Sequence, residues 1–329
     1  MPFSDVSVVI VTYNSAEVIG ECVRSLAAHL PGAQIVLVDN GSSDATLERA
    51  SAAASTRVVA GHGNVGFGAG VNRGVAAADG ELVFVLNPDA VLVEADRAAL
   101  DALRRSGDGF GIAGARLREP DGSSTARRNS AWGWRAELGW ALVQYFLVPR
   151  EIVLPRPRPL PGSRAAPWIS GAGFLVARRE FLELGGFDES LFLYYEDFDL
   201  SRRYRERGLP LRTTAAVTIA HEGQRSSPRN ERLMAAFALM SLVEYVGRWE
   251  GPDAAGRAAR SCLRQLASIG RLGRALAPLP VLGSRAAKKA DEAALVAQAL
   301  VDVARQPPAP GTYGVASVAI TRALARREG

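Results

Sequence analysis

Three apolar runs, each closed by a polar tip, constrain the fold of this chain more than any other feature. Val6 to Val11 leads into Thr12-Tyr13-Asn14, Ile35 to Val38 into Asp39-Asn40-Gly41-Ser42-Ser43-Asp44, and Leu82 to Leu86 into Asn87-Pro88-Asp89. Short apolar runs bounded by turn residues read as strands buried on both faces, the habit of a parallel sheet. Ala16 to His29 and Ala45 to Ala54 read as the helices between them, so the chain opens β-α-β-α. Open α/β sheets bind ligands beyond the carboxyl ends of their strands. All three polar tips then converge on one sheet edge.

Val58-Val59 begins a third short strand that leads into the glycine-rich stretch Gly61 to Gly70, and a helix follows from Val71 to Ala78. Between Arg116 and Pro167 the pattern is irregular, and Pro155, Pro157, Pro159 and Pro161 mark an extended segment read as a loop over a site. Trp168 to Val176 resumes strand character, Arg178 to Leu184 is a short helix, and Asp197 to Arg207 is a helix closed by Gly208. A last strand near Val217 to Ala220 ends at His221. From Asn230 the composition turns to Ala, Arg and Leu at helical spacing, interrupted by prolines. These readings give an α/β domain over residues 1–226 and a helical extension over 227–329.

A chain of 329 residues, 48% hydrophobic and 22% charged, has enough apolar material for such a core and is not disordered. Cys22 and Cys262 lie far apart without metal-ligand spacing, so neither a disulfide framework nor a structural zinc site is expected, and a reducing cytosol is the simplest compartment. No secretory signal opens the chain, and no apolar run reaches the ~20 residues a spanning helix needs. The formal charge of +5 admits nucleic acid, an anionic membrane surface or a phosphorylated substrate. No nucleic-acid-binding motif supports the first of these.

Gly66-Phe67-Gly68-Ala69-Gly70 has the glycine density of a dinucleotide fingerprint, but that turn belongs after the first strand, where this chain has Thr12-Tyr13-Asn14-Ser15. No P-loop is present either. Asp39 and Asp89 instead suggest a site that reads a nucleobase with one carboxylate and grips a divalent cation with the other. Oxygen ligands suit Mg²⁺ or Mn²⁺, and an imidazole from His221 tilts the choice toward Mn²⁺. Such an ion neutralises a diphosphate leaving group. Tyr194-Tyr195-Glu196-Asp197-Phe198-Asp199 supplies a carboxylate able to take a proton from an attacking hydroxyl.

Plainer roles compete at several positions. Asp39 could merely start the turn that follows it, and Asp44 reads as a helix cap. Asp199 suits a helix N-terminus on electrostatic grounds, which leaves the proton to Asp197 with Glu196 as the fallback base. His29 and His62 carry no assigned role. Leu138 to Val148 is too short to span a bilayer, yet Trp132, Trp134, Arg135 and Arg150 around it suit a headgroup layer.

The ordered set Thr12-Tyr13-Asn14, Val38-Asp39-Asn40-Gly41-Ser42-Ser43-Asp44, Asn64-Val65-Gly66-Phe67, Asn72-Arg73-Gly74, Asn87-Pro88-Asp89, Gly185-Gly186-Phe187-Asp188-Glu189 and Glu196-Asp197-Phe198-Asp199-Leu200 resembles inverting family-two glycosyltransferases. Within them the chain looks most like rhamnosyltransferases acting on lipid-linked acceptors. The resemblance covers roughly residues 5–226. It implies a GT-A fold, a Rossmann-like and mostly parallel sheet flanked by helices. It also implies direct displacement at the anomeric carbon of a nucleotide sugar, with a dTDP-sugar such as dTDP-L-rhamnose favoured as donor. The acceptor implied is a polyprenyl-diphosphate-linked glycan at the cytoplasmic face of the cell membrane, in cell-envelope polysaccharide assembly. Carried over residue by residue, Thr12, Tyr13 and Asp39 would hold the base, Gly66 and Phe67 would pass close to the ribose and diphosphate, Asn87 would hydrogen-bond ribose or bound water, and Asn14 and Asn72 would also belong to the nucleotide-sugar site. Asn87 stands where the family has the first Asp of its Asp-x-Asp motif, so Asp89 and His221 would bear the metal and Asp197 would be the general base. After His221 the glycine falls one place earlier than in the His-x-x-Gly-x-Ser form associated with rhamnosyl transfer. The rival readings are transfer to a soluble small-molecule or protein acceptor, and a noncatalytic nucleotide-sugar-binding assembly partner.

Overall fold

The computed structural model of the chain describes residues 3–50, 56–105, 109–118, 124–125, 129–131, 166–221, 231–278 and 283–328. They form two compact units: Met1–Asn129 with Pro167–Glu189 and Glu196–Pro228, and Ser130–Ala166 with Ser190–Tyr195 and Arg229–Gly329.

The first unit opens with β1 (Val6–Thr12), α1 (Ile19–His29), β2 (Gln34–Asp39), α2 (Thr46–Ala50), β3 (Thr56–Val59), α3 (Phe67–Ala77) and β4 (Leu82–Leu86). β5 (Ala90–Ala95), α4 (Arg97–Arg104), β6 (Ile112–Arg118) and β7 (Ser124–Thr125) follow. Two short strands, β8 (Asn129–Ala131) and β9 (Ala166–Trp168), pair with each other. β10 (Gly173–Ala177), α5 (Arg178–Glu183), α6 (Glu196–Glu206) and β11 (Leu211–His221) complete the α/β chain segment. The nine-stranded sheet runs β3-β2-β1-β4-β10-β6-β11-β5, with β7 beside β6. It is parallel through β3-β2-β1-β4 and mixed beyond, because β10 enters antiparallel between β4 and β6.

Register brings the predicted polar tips together. Thr12 stands opposite Asp39, and Val9 opposite Val85, so β1, β2 and β4 end at one edge. Burial on both faces explains their unbroken apolar runs: Val8 and Ile10 pack in one layer with Ile19 and Leu26 of α1, whereas Val9 and Val11 pack in the other with Val71 and Val75 of α3.

The glycines of α3 serve that second layer. A Cβ on Gly74 would lie 2.3 Å from Val9 Cγ1, and one on Gly70 would lie 2.8 Å from Val11 Cγ1. Their spacing of four residues puts both on one helix face, and without side chains the helix can press directly on the β1 and β2 valines. α3 therefore starts at Phe67, earlier than the expected Val71, and its N-terminal turn sits at the strand tips.

Other boundaries also differ. The expected strand from Trp168 to Val176 is interrupted, since β9 ends at Trp168 and β10 starts at Gly173. β11 starts at Leu211, well before the expected Val217. Gly208 closes α6 in a left-handed turn at φ 73°, with the Leu209 N–H bonded to the Tyr204 carbonyl at 3.0 Å.

The second unit contains α7 (Glu231–Glu250), α8 (Pro252–Leu276), α9 (Gly283–Arg305) and α10 (Gly314–Glu328), around a core that includes Phe237, Met240, Cys262, Leu300 and Tyr313. The hexapeptide Ser190–Tyr195 is built into it. The Tyr313 N–H donates to the Ser190 carbonyl at 2.9 Å, Ser241 Oγ donates to the Leu193 carbonyl at 2.6 Å, and the Phe192 ring lies 5.0 Å from that of Phe237. Glu244 accepts the Ala316 N–H at 2.7 Å and so caps the first turn of α10. Among the described residues no helix is long and apolar enough to cross a membrane. The run Leu138 to Val148, its flanking Trp132, Trp134, Arg135 and Arg150, and the proline segment from Pro155 to Pro161 lie outside the described residues.

Candidate active site

At the tips of β1 and β2 the Asp39 carboxylate is surrounded by donors. Oδ1 accepts from Thr12 Oγ1 at 3.2 Å and Ser42 Oγ at 2.5 Å, while Oδ2 accepts from the N–H groups of Gly41 at 3.2 Å and Ser42 at 3.0 Å. A carboxylate has about four lone-pair sites, and each has a donor. Asp39 therefore orders the loop it begins, and hydrogen bonding to a base through it requires one of these donors to exchange. Asn14, at φ 50°, ties that loop to the tip of β1 through Oδ1, which accepts the Ser43 N–H at 2.8 Å. Tyr13 is 50% exposed, which leaves its ring face open to a planar ligand.

Asn40, next in the same loop, reaches the start of α3. Its Nδ2 donates to the Gly66 carbonyl at 3.0 Å, and its Oδ1 faces His62 Nε2 at 3.1 Å. Gly66 has φ 89° and no side chain caps the helix it precedes, so backbone N–H groups of the first turn are left for an anion. Burial, followed by the Arg73 charge, holds His62 below the usual imidazole range. Neither Asn40 nor His62 stood out in the sequence, because their partners come from separate loops. Asn72 is occupied: Nδ2 donates to the Phe187 carbonyl at 2.9 Å and to Glu189 Oε1 at 3.0 Å, and Oδ1 accepts the Phe187 N–H at 2.8 Å.

The acidic segment enters on strained backbone, with Tyr194 at φ 69° and Tyr195 at φ 65° directly before Glu196. Asp197 is half-buried at the first turn of α6. Its Oδ2 accepts the Gly171 N–H at 3.0 Å and its Oδ1 the Phe198 N–H at 2.9 Å. A Cβ on Gly171 would lie 3.2 Å from the Phe67 ring and 3.9 Å from Asp197 Cβ, so the start of α3 and Asp197 flank the same glycine. Glu196 is 6% exposed, and its Oε2 has no hydrogen-bond partner. Burial, then the charge of Asp197, pushes its carboxyl well above the usual range. Asp199 is fully buried and paired with Arg203 Nε at 2.7 Å, which fits its structural reading.

Asn87 and Asp89 are half-buried in the turn between β4 and β5. The Asn87 N–H donates to the Ala172 carbonyl at 3.0 Å, and its own carbonyl accepts the Ala90 N–H at 3.1 Å. Beneath the turn the Cys22 thiol donates to the Asn87 carbonyl at 3.8 Å, and burial and then the Asp89 charge push that thiol up. His221 ends β11 directly opposite Ala90, one residue beyond Asp89. The sheet thus brings the backbone at His221 next to the turn that carries Asp89. No cluster of three acidic, histidine or cysteine ligands occurs among the described residues.

Residues 7–149 match the family Glycosyl transferase family 2. The N-acetylglucosaminyl-diphospho-decaprenol L-rhamnosyltransferase of Mycobacterium tuberculosis is 32% identical over 255 residues, spanning 69% of this chain and 80% of that protein. The chain belongs to glycosyl transferase family 2. A second relative, the low-salt glycan biosynthesis hexosyltransferase Agl10 of Haloferax volcanii, is 26% identical over 227 residues, 66% of this chain and 67% of that protein. Among solved structures, a mannosyltransferase of Pyrobaculum calidifontis in complex with GDP-Man and Mn²⁺ is 16% identical with a TM-score of 0.48, over 98% of this chain and 87% of that one. The family assignment rests on the sequence relatives. The mixed sheet with flanking helices and a helical C-terminal region is the GT-A architecture expected of this glycosyltransferase.

Proposed function

We propose that this family-two glycosyltransferase moves L-rhamnose from dTDP-rhamnose to a hydroxyl of N-acetylglucosamine carried on a polyprenyl diphosphate, at the cytoplasmic face of the membrane. Similarity to the mycobacterial rhamnosyltransferase supports the rhamnosyl group and the lipid-linked acceptor, and the dTDP donor is what the sequence resemblance implies. The observation that carries the reaction type is the placement of Asp197 beside Gly171 and Phe67, where the start of α3 meets the edge that collects the strand tips.

Tyr13 stacks on the base, while Thr12, Asn14 and Asp39 hold the loop against which it lies. The first turn of α3, entered through Gly66 and Phe67, faces the diphosphate, with Asn87 at the sugar side. Asn72 fixes the segment around Phe187, and so acts by position. Asp89 and His221 would hold Mn²⁺ or Mg²⁺, which when bound neutralises charge on the diphosphate. Asp197 accepts the proton of the acceptor hydroxyl as its oxygen bonds to the anomeric carbon. The bond from that carbon to the diphosphate breaks, and dTDP leaves from the opposite face with inversion. Neighbouring Glu196 is buried with its carboxyl raised well above the usual range, so the proton is assigned to the half-buried Asp197.

Turnover of a panel of nucleotide sugars, with and without chelator, tests the reading. Metal-dependent release of dTDP from dTDP-rhamnose on the lipid-linked acceptor is expected. Equal turnover on a water-soluble acceptor alone would favour the soluble-substrate alternative, and donor binding without any turnover would favour an assembly partner.

A further inference from the structure

We propose that α8 carries a docking face for the phosphate headgroups of an anionic lipid bilayer. Its arginines Arg257, Arg260, Arg264, Arg271 and Arg274 recur at spacings of three, four, seven and three residues. At 3.6 residues per turn they fall within an arc of about 100° and run for about 25 Å along the helix. The opposite face holds the buried residues Ala255, Ala258, Cys262 and Leu266. Four of the five arginines are exposed and Arg260 is partly so. None of the five forms an ion pair among the described residues, and Asp253 is the one carboxylate on the helix.

At the N-terminal end of the stripe, α8 and α10 enclose a cavity of about 590 Å³ whose lining includes Arg257, Arg260 and Arg322, the carboxylate of Asp253, and Val315 and Val318. Val315 is 36% and Val318 50% exposed. Val315, Val318 and Arg322 share one face of α10 by their spacing. Three cations against one carboxylate leave a net positive lining beside apolar valines, which suits a headgroup phosphate with the start of its acyl chains. A nucleic acid would gain more from aromatic platforms than from valines. The apolar face of α8 is spent inside its own unit, so this is electrostatic attachment with shallow apolar contact rather than insertion of an amphipathic helix.

The inference rests on the lipid-linked acceptor reading, since an enzyme working at a bilayer gains from a charged surface that holds it there. Cosedimentation of the full chain with phosphatidylglycerol-containing vesicles, pure phosphatidylcholine vesicles and single-stranded RNA tests it. Binding is expected to the anionic vesicles alone, and to fall with added salt. Each arginine near an anionic surface is worth about fivefold in partitioning. The triple variant R264Q/R271Q/R274Q should therefore partition roughly 100-fold more weakly, and R257Q/R260Q/R322Q by a similar factor, with turnover on a short soluble acceptor analogue unchanged. Vesicle binding equal to the parent in both triple variants, no binding by the parent, or retention on RNA instead of vesicles would each overturn the proposal. Turnover is read separately: its absence with intact, arginine-dependent vesicle binding removes the transferase reading and leaves the docking face.

Discussion

Glu196 and Asp197 are neighbouring acids in opposite settings: Glu196 Oε2 is buried without a hydrogen-bond partner, whereas Asp197 Oδ2 receives the Gly171 N–H at 3.0 Å. Burial and the adjacent charge raise the Glu196 carboxyl, and the sign of the consequence follows. Below the unfolded value of about 4.3 both states hold the proton. As pH rises, the unfolded chain releases it while the folded chain keeps it, so stability is lost up to the raised folded value. Glu196→Gln removes that loss. Denaturation midpoints should show the variant gaining on the parent as pH rises from acid toward neutral. A parent-to-variant gap independent of pH would contradict the raised Glu196 carboxyl.

Gly74 should tolerate no side chain. With a Cβ only 2.3 Å from Val9 Cγ1, Gly74→Ala forces α3 away from β1 and should cost about 1 to 3 kcal/mol in urea unfolding. Gly61, at φ 87° with open space around an added methyl, is the control for backbone strain without a clash. A neutral or stabilising Gly74→Ala would mean that the helix does not press on the sheet as described.

Asp89→Ala should abolish metal-dependent donor binding while leaving metal-free binding nearly unchanged, because neutral Asn87 cannot replace a formal charge at a divalent ion. Calorimetric titration of dTDP with Mn²⁺, Mg²⁺ or chelator reads this directly. The metal stimulation should disappear, and its survival in a folded variant would remove Asp89 from the cation site.

Asp39→Ala strips an acceptor from four donors at the β1 and β2 tips. Unmet buried donors cost about 1 to 3 kcal/mol each, less where water reaches them. Both thermal stability and nucleotide affinity should fall. A variant that loses affinity at unchanged stability would put Asp39 on the base itself.

The convergence of Thr12, Asp39 and Asn87 was legible in the sequence, because unbroken apolar runs ending in polar tips have few arrangements other than a parallel sheet. The stretch from Ala90 to Arg118 was not. β5 follows the Pro88 turn without a loop, and its alternating burial belongs to an edge strand, so no turn signal separates it from the irregular region beyond. The cue for α4 was present in Asp96, which caps the helix by accepting the Ala99 N–H at 3.1 Å. Glycine density after Gly61 pointed to backbone near a ligand, yet Gly70 and Gly74 answer to valines of the sheet beneath. The state of Glu196 had no signal at all, since its burial beside Gly68 and Phe187 arises from chain segments distant in sequence.

The central claim, that Asp197 is the base of an inverting rhamnosyl transfer, is tested most directly by single-turnover kinetics of dTDP-rhamnose with the lipid-linked acceptor in the parent, Asp197→Asn and Glu196→Gln. General-base catalysis is worth about 10² to 10⁴ in rate. Asp197→Asn should lose that factor in the chemical step with donor affinity retained, while Glu196→Gln stays within a few-fold of the parent and the product linkage is inverted. Full activity in Asp197→Asn, or collapse in Glu196→Gln with Asp197→Asn active, would contradict the assignment.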